Sequence, residues 1–261
     1  PDNPIPSTLT DDAIRQAMDC EIASTPGVFD INNDGYVDLA YVGDTCGRLW
    51  RFDISKAIVD TGNDVTETGR TGNAVLEAPN WTAGIAFCAN TESECGDVTS
   101  SPTVPQTNLQ PIYFAPTVAI DDLGRKHVIF NTGSRRHPSN VDSFGKLFNI
   151  IDPYIPAFLA GGESGTSIEP TMYRTEDDFD TGEIIELIPQ TGLPEGASPQ
   201  FTTQGGSTIN NQGQFMVIFP DNVSALSGEK GVGTPVVINR VLVFTTFAPD
   251  SGVEENPCIN K

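Results

Sequence analysis

The 261-residue sequence predicts an all-β fold, and three features carry that expectation. Its 25 glycines and 20 prolines punctuate the chain too often for long helices. Apolar residues recur with a period of two, giving strand candidates at 37–42, 49–54, 112–120, 127–131, 146–151, 182–187, 215–219, 235–238 and 241–247. A strand-turn-strand unit also repeats along the chain. The exception is one short N-terminal helix expected at 11–18, where Thr10 can cap the first turn and Ile14, Ala17 and Met18 share a side.

The repeat sets the architecture. Thr25-Pro26-Gly27-Val28-Phe29-Asp30 leads through a loop to the apolar run 39–43 and then to Gly47-Arg48-Leu49-Trp50-Arg51-Phe52-Asp53. The second copy runs from 115–121 to 128–133 and on to 145–152, and residues 234–238 and 241–247 repeat the first half a third time. Each unit is a Pro-led strand, a tight turn, a second apolar strand, a Gly-rich turn and, in the first two copies, a strand ending in Asp. One such meander cannot bury both its faces, whereas stacked meanders close a core; this is the pattern of β-propeller blades. The expected organisation is therefore a single fragment, 1–261, with blade units at 25–54, 110–152 and 215–250 and long insertions or degenerate blades at 55–110 and 153–210. Blades of about 40–50 residues make this part of a larger ring. With no initiator Met and no leader at its start, the chain reads as a piece of something longer.

Composition narrows the partners. With 14 Lys and Arg against 35 Asp and Glu the formal charge is −21, a field that repels nucleic-acid backbones and anionic headgroups. The longest uncharged stretch, 98–120, holds four prolines and several amides, so no membrane insertion is expected within the fragment. Five cysteines lack any zinc-type spacing. Cys88 and Cys95 flank a short polar loop and make a local staple, and Cys20 can reach Cys46, which leaves Cys258 unpaired in this fragment. Structural disulfides imply an oxidising, extracytoplasmic compartment.

The stretch most informative about chemistry is Asp30-Ile31-Asn32-Asn33-Asp34-Gly35-Tyr36-Val37-Asp38. Side-chain oxygens stand at its positions 1, 3, 5 and 9, glycine at 6 permits a sharp turn, and the Tyr36 backbone carbonyl is available at 7. Alternate residues of such a loop aim hard oxygen ligands at one centre, as a calcium ion requires. Position 12 is Tyr41 rather than a bidentate Glu, and a strand follows, so the expectation is one calcium ion in a loop within a β-hairpin and not an EF-hand.

Residues 30–38, followed by Tyr41-Val42-Gly43-Asp44 and the 47–53 segment, resemble the calcium-binding blade of the PilY-type proteins, the tip-associated adhesin and biogenesis factors of type IV pili. Segments 110–118, 130–135 and 234–249 resemble later parts of the same C-terminal propeller, in the same order. The resemblance implies a modified β-propeller in which Asp30, Asn32, Asp34, Asp38 and the Tyr36 carbonyl hold calcium. It also implies a non-enzymatic role in pilus biogenesis, in regulating extension against retraction and in surface adhesion. The implied partners are minor pilins or the pilus tip complex, with a host or abiotic surface, and the implied location is the pilus tip, cell surface or outer membrane of a bacterium. Cys46, the Cys20 segment and Phe130-Asn131 depart from the family's usual pattern, and no Arg-Gly-Asp sequence is present.

Two other propeller readings are open. An integrin-like calcium-loop module binding carbohydrate or protein would be expected to carry several such loops, and one is evident. A quinoprotein-like dehydrogenase is similar in the Gly47-Arg48-Leu49-Trp50 segment but brings no cofactor constellation. The acidic run 176–183 lacks calcium spacing and reads as a solvated loop, and Asp121-Asp122 reads as a simple hairpin turn. His127 and His137 lack any nucleophile motif, and Arg135-Arg136-His137 is the one basic cluster.

Overall fold

The computed structural model describes residues 18, 20–55, 58–59, 75–76, 82–91, 95, 109–136, 143–156, 174–180, 183–189, 201–205, 213–219 and 228–249. The helix expected at 11–18 lies outside these apart from Met18, which is irregular, and so does Cys258. Seventeen strands are described: β1 (Gly27–Phe29), β2 (Leu39–Gly43), β3 (Arg48–Asp53), β4 (Ile58–Val59), β5 (Val75–Leu76), β6 (Thr82–Cys88), β7 (Thr117–Ile120), β8 (Lys126–Asn131), β9 (Lys146–Ile151), β10 (Arg174–Thr175), β11 (Ile184–Pro189), β12 (Phe201–Gly205), β13 (Phe215–Ile218), β14 (Lys230–Gly231), β15 (Val236–Ile238), β16 (Val241–Val243) and β17 (Thr246–Phe247). The fold is all-β.

Two sheets dominate. The first has the order β1-β2-β3-β6-β10, the second β12-β11-β13-β9-β8-β7. Within them β1-β2-β3-β6 and β7-β8-β9-β13 are four-stranded antiparallel meanders, the blade form the repeat predicts. Their fourth strands fall outside the first two predicted units. β6 lies inside the stretch read as a long insertion or degenerate blade, and β13, read as the start of the third unit, pairs with β9 in the second sheet. Pairing with an outer strand is a long-range event that a short-window periodicity does not see. The 112–120 strand starts late, at Thr117, because Pro116 cannot donate to a ladder and sits ahead of the first strand residue. The predicted 241–247 strand is divided into β16 and β17, which pair with different partners.

Alternation places the core. Leu39 and Tyr41 of β2, Leu49 of β3 and Phe87 of β6 face Val128 and Phe130 of β8, Phe148 and Ile150 of β9 and Met216 of β13 in one buried cluster. Phe130 and Phe148 stack at 5.1 Å, and Phe87 meets Phe148 at 5.2 Å and Phe179 at 6.0 Å. The odd-numbered residues Ile129, Leu147 and Val217, with Phe219, form a second cluster on the other side of the second sheet, where Val237, Leu242 and Phe244 cover them. Both faces of that sheet are apolar because both are covered.

The hairpins are built by local chemistry. Gly47 has φ +83°, and a side chain there would meet the Asn90 amide and the Gln110 carbonyl at under 3 Å. Asp44 organises the same turn: its carboxylate accepts the Cys46 and Arg48 N–H groups and the Trp50 indole N–H, each at 2.9 Å. Burial pushes the Asp44 carboxyl above its ordinary pKa, against the pull of those bonds. Asn239 and Arg240 both take positive φ (49° and 67°) between the paired Ile238 and Val241, the two-residue turn whose twist matches a hairpin. Two disulfides brace the first sheet, Cys20–Cys46 at the turn between β2 and β3, with Cα atoms 5.9 Å apart, and Cys88–Cys95 at the end of β6, with 6.2 Å.

Glu229, beside β14, carries a pH prediction. It is 4% exposed; one carboxyl oxygen accepts the Thr246 hydroxyl and the other is buried without a hydrogen-bond partner among the described residues. The neighbouring cations are engaged elsewhere: the Lys230 ammonium donates to the Gly228 carbonyl at 2.6 Å, and Lys146 pairs with Glu176. Burial therefore raises the Glu229 pKa. A carboxyl whose folded-state pKa is raised binds its proton more tightly when folded, so stability falls as pH rises from the unfolded value of about 4.3 through the raised one. Glu229→Gln, which keeps the neutral shape, is expected to match the parent melting temperature near pH ~4 and to exceed it increasingly toward pH ~8. Parallel melting profiles would show that the charge is compensated.

Candidate metal loop and the clasp between the sheets

The nine residues Asp30 to Asp38 connect β1 to β2, whose last pair is Phe29 and Leu39. The loop is organised by its own carboxylates. Asp30 accepts the Asp34 N–H at 3.2 Å through one oxygen and the Gly35 N–H at 2.7 Å through the other. Asn32 Oδ1 accepts the Asp34 N–H at 2.9 Å, and Asp34 Oδ1 accepts the Tyr36 N–H at 2.8 Å. Asp38, 1% exposed, accepts the Ile31 N–H at 2.9 Å, while its backbone bonds Phe29 and Ile54. Asn33 (φ 59°) and Gly35 (φ 89°) supply the left-handed turns, and a side chain at Gly35 would meet nothing within 4 Å. The turn needs glycine for its φ and not for space.

The loop thus curls with Asn32 and Asp34 at its exposed mouth, Asp30 half-buried beside them and Asp38 at its buried base. All its side-chain donors are oxygens, the chemistry a hard divalent cation takes. Among the described residues no three His, Cys, Asp or Glu side chains gather into a metal-holding group. Asp30, Asp34 and Asp38 are thus not a ready-made cage, and Asn32 and the Tyr36 carbonyl would have to complete the set.

The second sheet shows what the same hairpin does with an internal cation. Between β7 and β8, Asp121 accepts the Leu123 and Arg125 N–H groups at 2.9 and 2.8 Å through one oxygen. Its other oxygen takes the Arg125 guanidinium at 2.6 Å and stands 3.3 Å from His127 Nε2. Desolvation alone would raise the Asp121 pKa, but the bonds from Arg125, His127 and Leu123 together outweigh it and hold the pKa far below the ordinary carboxylate range. A guanidinium stands where the first loop has only carboxylates and an amide, in keeping with the expected simple hairpin turn. The other weak candidates are also engaged structurally. Asp178 accepts the Thr175 N–H at 2.7 Å, Glu176 pairs with Lys146, and Arg136 pairs with Glu21 at 2.6 Å while Arg135 lies over the Phe114 ring at 4.9 Å.

A second polar centre, which the sequence reasoning did not single out, crosses the interface between the sheets. Tyr41 donates to Asp152 at 2.6 Å, and Tyr154 donates in return to Asp53. Asp53 and Asp152 are the repeat-equivalent residues at the ends of the third strands, so Asp152 of the second unit accepts Tyr41 of the first, and Asp53 of the first accepts Tyr154, which directly follows the second unit. Arg51 bonds Asp152 at 3.1 Å and lies 3.8 Å over the Tyr154 ring; Lys126 sits 3.7 Å from Asp152 and donates to the Tyr154 carbonyl at 2.7 Å. Burial alone would raise the Asp152 pKa, but Arg51, Lys126 and the Tyr41 hydroxyl outweigh it and hold the pKa below its ordinary value. Burial and the Asp152 charge push the Tyr41 hydroxyl well up, and burial pulls Lys126 down against the attraction of Asp152. The repeated terminal Asp was the available signal; its partners lie about 100 residues away.

Stacked four-stranded antiparallel meanders, with a third hairpin on the outer face of the second, define a β-propeller protein. Residues 16–147, half of the chain, match the family model of the PilY1 beta-propeller domain, and the chain belongs to that family. It is similar to the type IV pilus biogenesis factor PilY1 of Pseudomonas aeruginosa (strain UCBPP-PA14), 26% identical over 204 residues that cover 76% of this chain and 15% of that protein. The fold matches the crystal structure of the Pseudomonas aeruginosa PilY1 C-terminal domain with a TM-score of 0.54 at 20% identity, covering 86% of this chain and 44% of that one. The chain therefore spans less than a sixth of the curated relative's length. Among the described residues no helix is long and apolar enough to cross a membrane.

Proposed function

We propose that the chain is the calcium-binding propeller of a type IV pilus tip-associated protein, acting without catalysis in pilus biogenesis, in the balance of extension and retraction, and in surface adhesion. Its partners on this reading are minor pilins or the tip complex, and its location is extracytoplasmic, at the pilus tip or cell surface. The observation that carries the reading is the oxygen-only loop 30–38 in a member of this family. Calcium would supply two positive charges at a loop whose carboxylates otherwise repel one another across a few ångström. Asp30, Asn32 and Asp34 would hold it at the mouth, Asp38 from the base, and the Tyr36 carbonyl between them. Asp38 also bonds the start of β1's loop and the end of β3 through Phe29, Ile31 and Ile54, so a filled loop would stiffen the first hairpin.

Calorimetric titration with calcium is expected to show one site that Asp34→Ala removes. The melting temperature of the parent, but not of the variant, should rise with calcium, because a ligand bound only by the folded state stabilises it. In cells, Asp30→Ala is expected to change piliation or twitching; a variant that has lost calcium but keeps both unchanged would sink the regulatory role. Absence of both heat and thermal shift would leave the loop as a turn held by its own side chains.

A further inference from the structure

The β2–β3 turn and the connection that follows β8 lie at the far ends of their strands from the 30–38 loop and its counterpart at 121–125. Where they meet is a cleft of about 200 Å³. Its buried lining is apolar, from Cys46, Leu109 and Pro111. Its more exposed lining is polar, from Glu21, Tyr113, Ser134 and Arg136. The fold holds these groups in place. The Cys20–Cys46 disulfide and the Thr45 N–H, which donates to the Glu21 carbonyl at 2.9 Å, fix Glu21 beside the turn. The Gly133 N–H donates to the Pro111 carbonyl at 3.1 Å and Arg135 lies 4.9 Å over the Phe114 ring, which fixes the segment carrying Ser134 and Arg136. The Glu21 and Arg136 side chains, 71% and 53% exposed, meet at 2.6 Å. An exposed pair of this kind adds little to stability. A guanidinium has more N–H donors, and a carboxylate more acceptor sites, than one bond uses, so the pair keeps hydrogen-bonding capacity of both kinds.

We propose that this cleft binds one neutral sugar ring, its apolar lining taking a C–H face of the ring and the Glu21–Arg136 pair taking neighbouring hydroxyls. Each hydroxyl both donates and accepts, so two adjacent ones use a carboxylate and a guanidinium set side by side. Charge selects against the other ligand classes. An anion would meet Glu21 and a chain of net charge −21, and a cation would meet Arg136. Size selects as well, since sites for drug-sized ligands run to about 300–1,000 Å³ and this one has room for a single ring. The inference rests on the cleft and not on the calcium reading, because the 30–38 loop lies at the opposite end of β2.

The test is saturation-transfer NMR on the full natural polypeptide. The probes are the methyl glycosides of glucose, galactose, mannose and N-acetylglucosamine, each at about 10 mM because one ring in a small cleft binds weakly. At least one glycoside is expected to take up saturation from the protein. Glu21→Gln and Arg136→Gln change exposed side chains and should melt with the parent, and each is expected to cut that signal about 10-fold. Asp34→Ala should leave it unchanged. No transfer to any of the four probes would overturn the proposal, and so would a signal that both glutamine variants keep, which puts the sugar elsewhere. Loss of the signal in Asp34→Ala would overturn it in favour of a sugar held at the metal loop. Tighter binding of methyl glucuronide than of every neutral ring, lost in Arg136→Gln, would overturn it in favour of an anion site. Two variants are used so that poor folding of one leaves the other decisive.

Discussion

Asp152→Ala is expected to lower the unfolding free energy by about 3–5 kcal/mol, the usual consequence of removing one partner from a buried ion pair. The substitution removes the carboxylate partner of the Arg51 guanidinium and of the Lys126 ammonium and leaves the Tyr41 hydroxyl without its acceptor. All three groups are buried, so water does not replace what is lost. Tyr41→Phe removes a single hydrogen bond and should cost about 1–3 kcal/mol. Urea unfolding of the two variants separates the buried charge from the hydroxyl, and a loss under about 1 kcal/mol for Asp152→Ala would mean that the cations relax to other acceptors. The pH dependence follows from the depressed folded-state pKa. The contribution of Asp152 is fully present above its unfolded pKa of about 3.9 and is lost only as the solution is acidified through the lower folded value.

Phe148→Ala should have an effect of similar size, about 3–5 kcal/mol, from lost transfer free energy and the cavity left behind. Phe148 is fully buried and touches three other rings: Phe130 at 5.1 Å, Phe87 at 5.2 Å and Phe179 at 6.1 Å. Phe87 belongs to the first sheet and Phe130 to the second, so the ring lies on the surface where the two sheets meet, and its removal loosens their docking. Phe148→Leu, which refills most of the volume, should recover over half of the loss. Phe52→Ala is the control, since Phe52 is partly buried and packs against the far side of the first sheet. If Phe148→Ala cost no more than that control, the aromatic cluster would not be what joins the sheets.

Much of the fold was legible because its signals are short-range. Alternation over five or six residues located β2, β3, β8 and β9 to within two residues, and Gly47 and the Asp44 turn follow from local chemistry. The 30–38 loop was equally readable, since the spacing of its oxygens is a property of nine consecutive residues and the observed Asx bonds are made within them. The spacing likewise allowed Cys20 to meet Cys46 and Cys88 to meet Cys95. What escaped the sequence reading was pairing over distance. β6 lies in a stretch whose sequence reads as an insertion or a degenerate blade, and β13 opens the third predicted unit yet pairs with β9, because nothing inside either strand says which edge it will join.

The sequence by itself determined the all-β class, the repeating unit, the hairpin turns and the oxygen-lined loop, because each depends on residues within about ten positions of one another. The tertiary structure alone decided that the two terminal aspartates of the repeats would each be bonded by a tyrosine about 100 residues away, that Arg51 of the first sheet would reach Asp152, and that Val236, Ile238, Val241 and Val243 of the third hairpin would be exposed. Those outcomes depend on which sheets stack and in what register. That choice is made by the shape of the aromatic core between them and by the free energy of burying charges together, and neither is encoded in any single stretch of the chain.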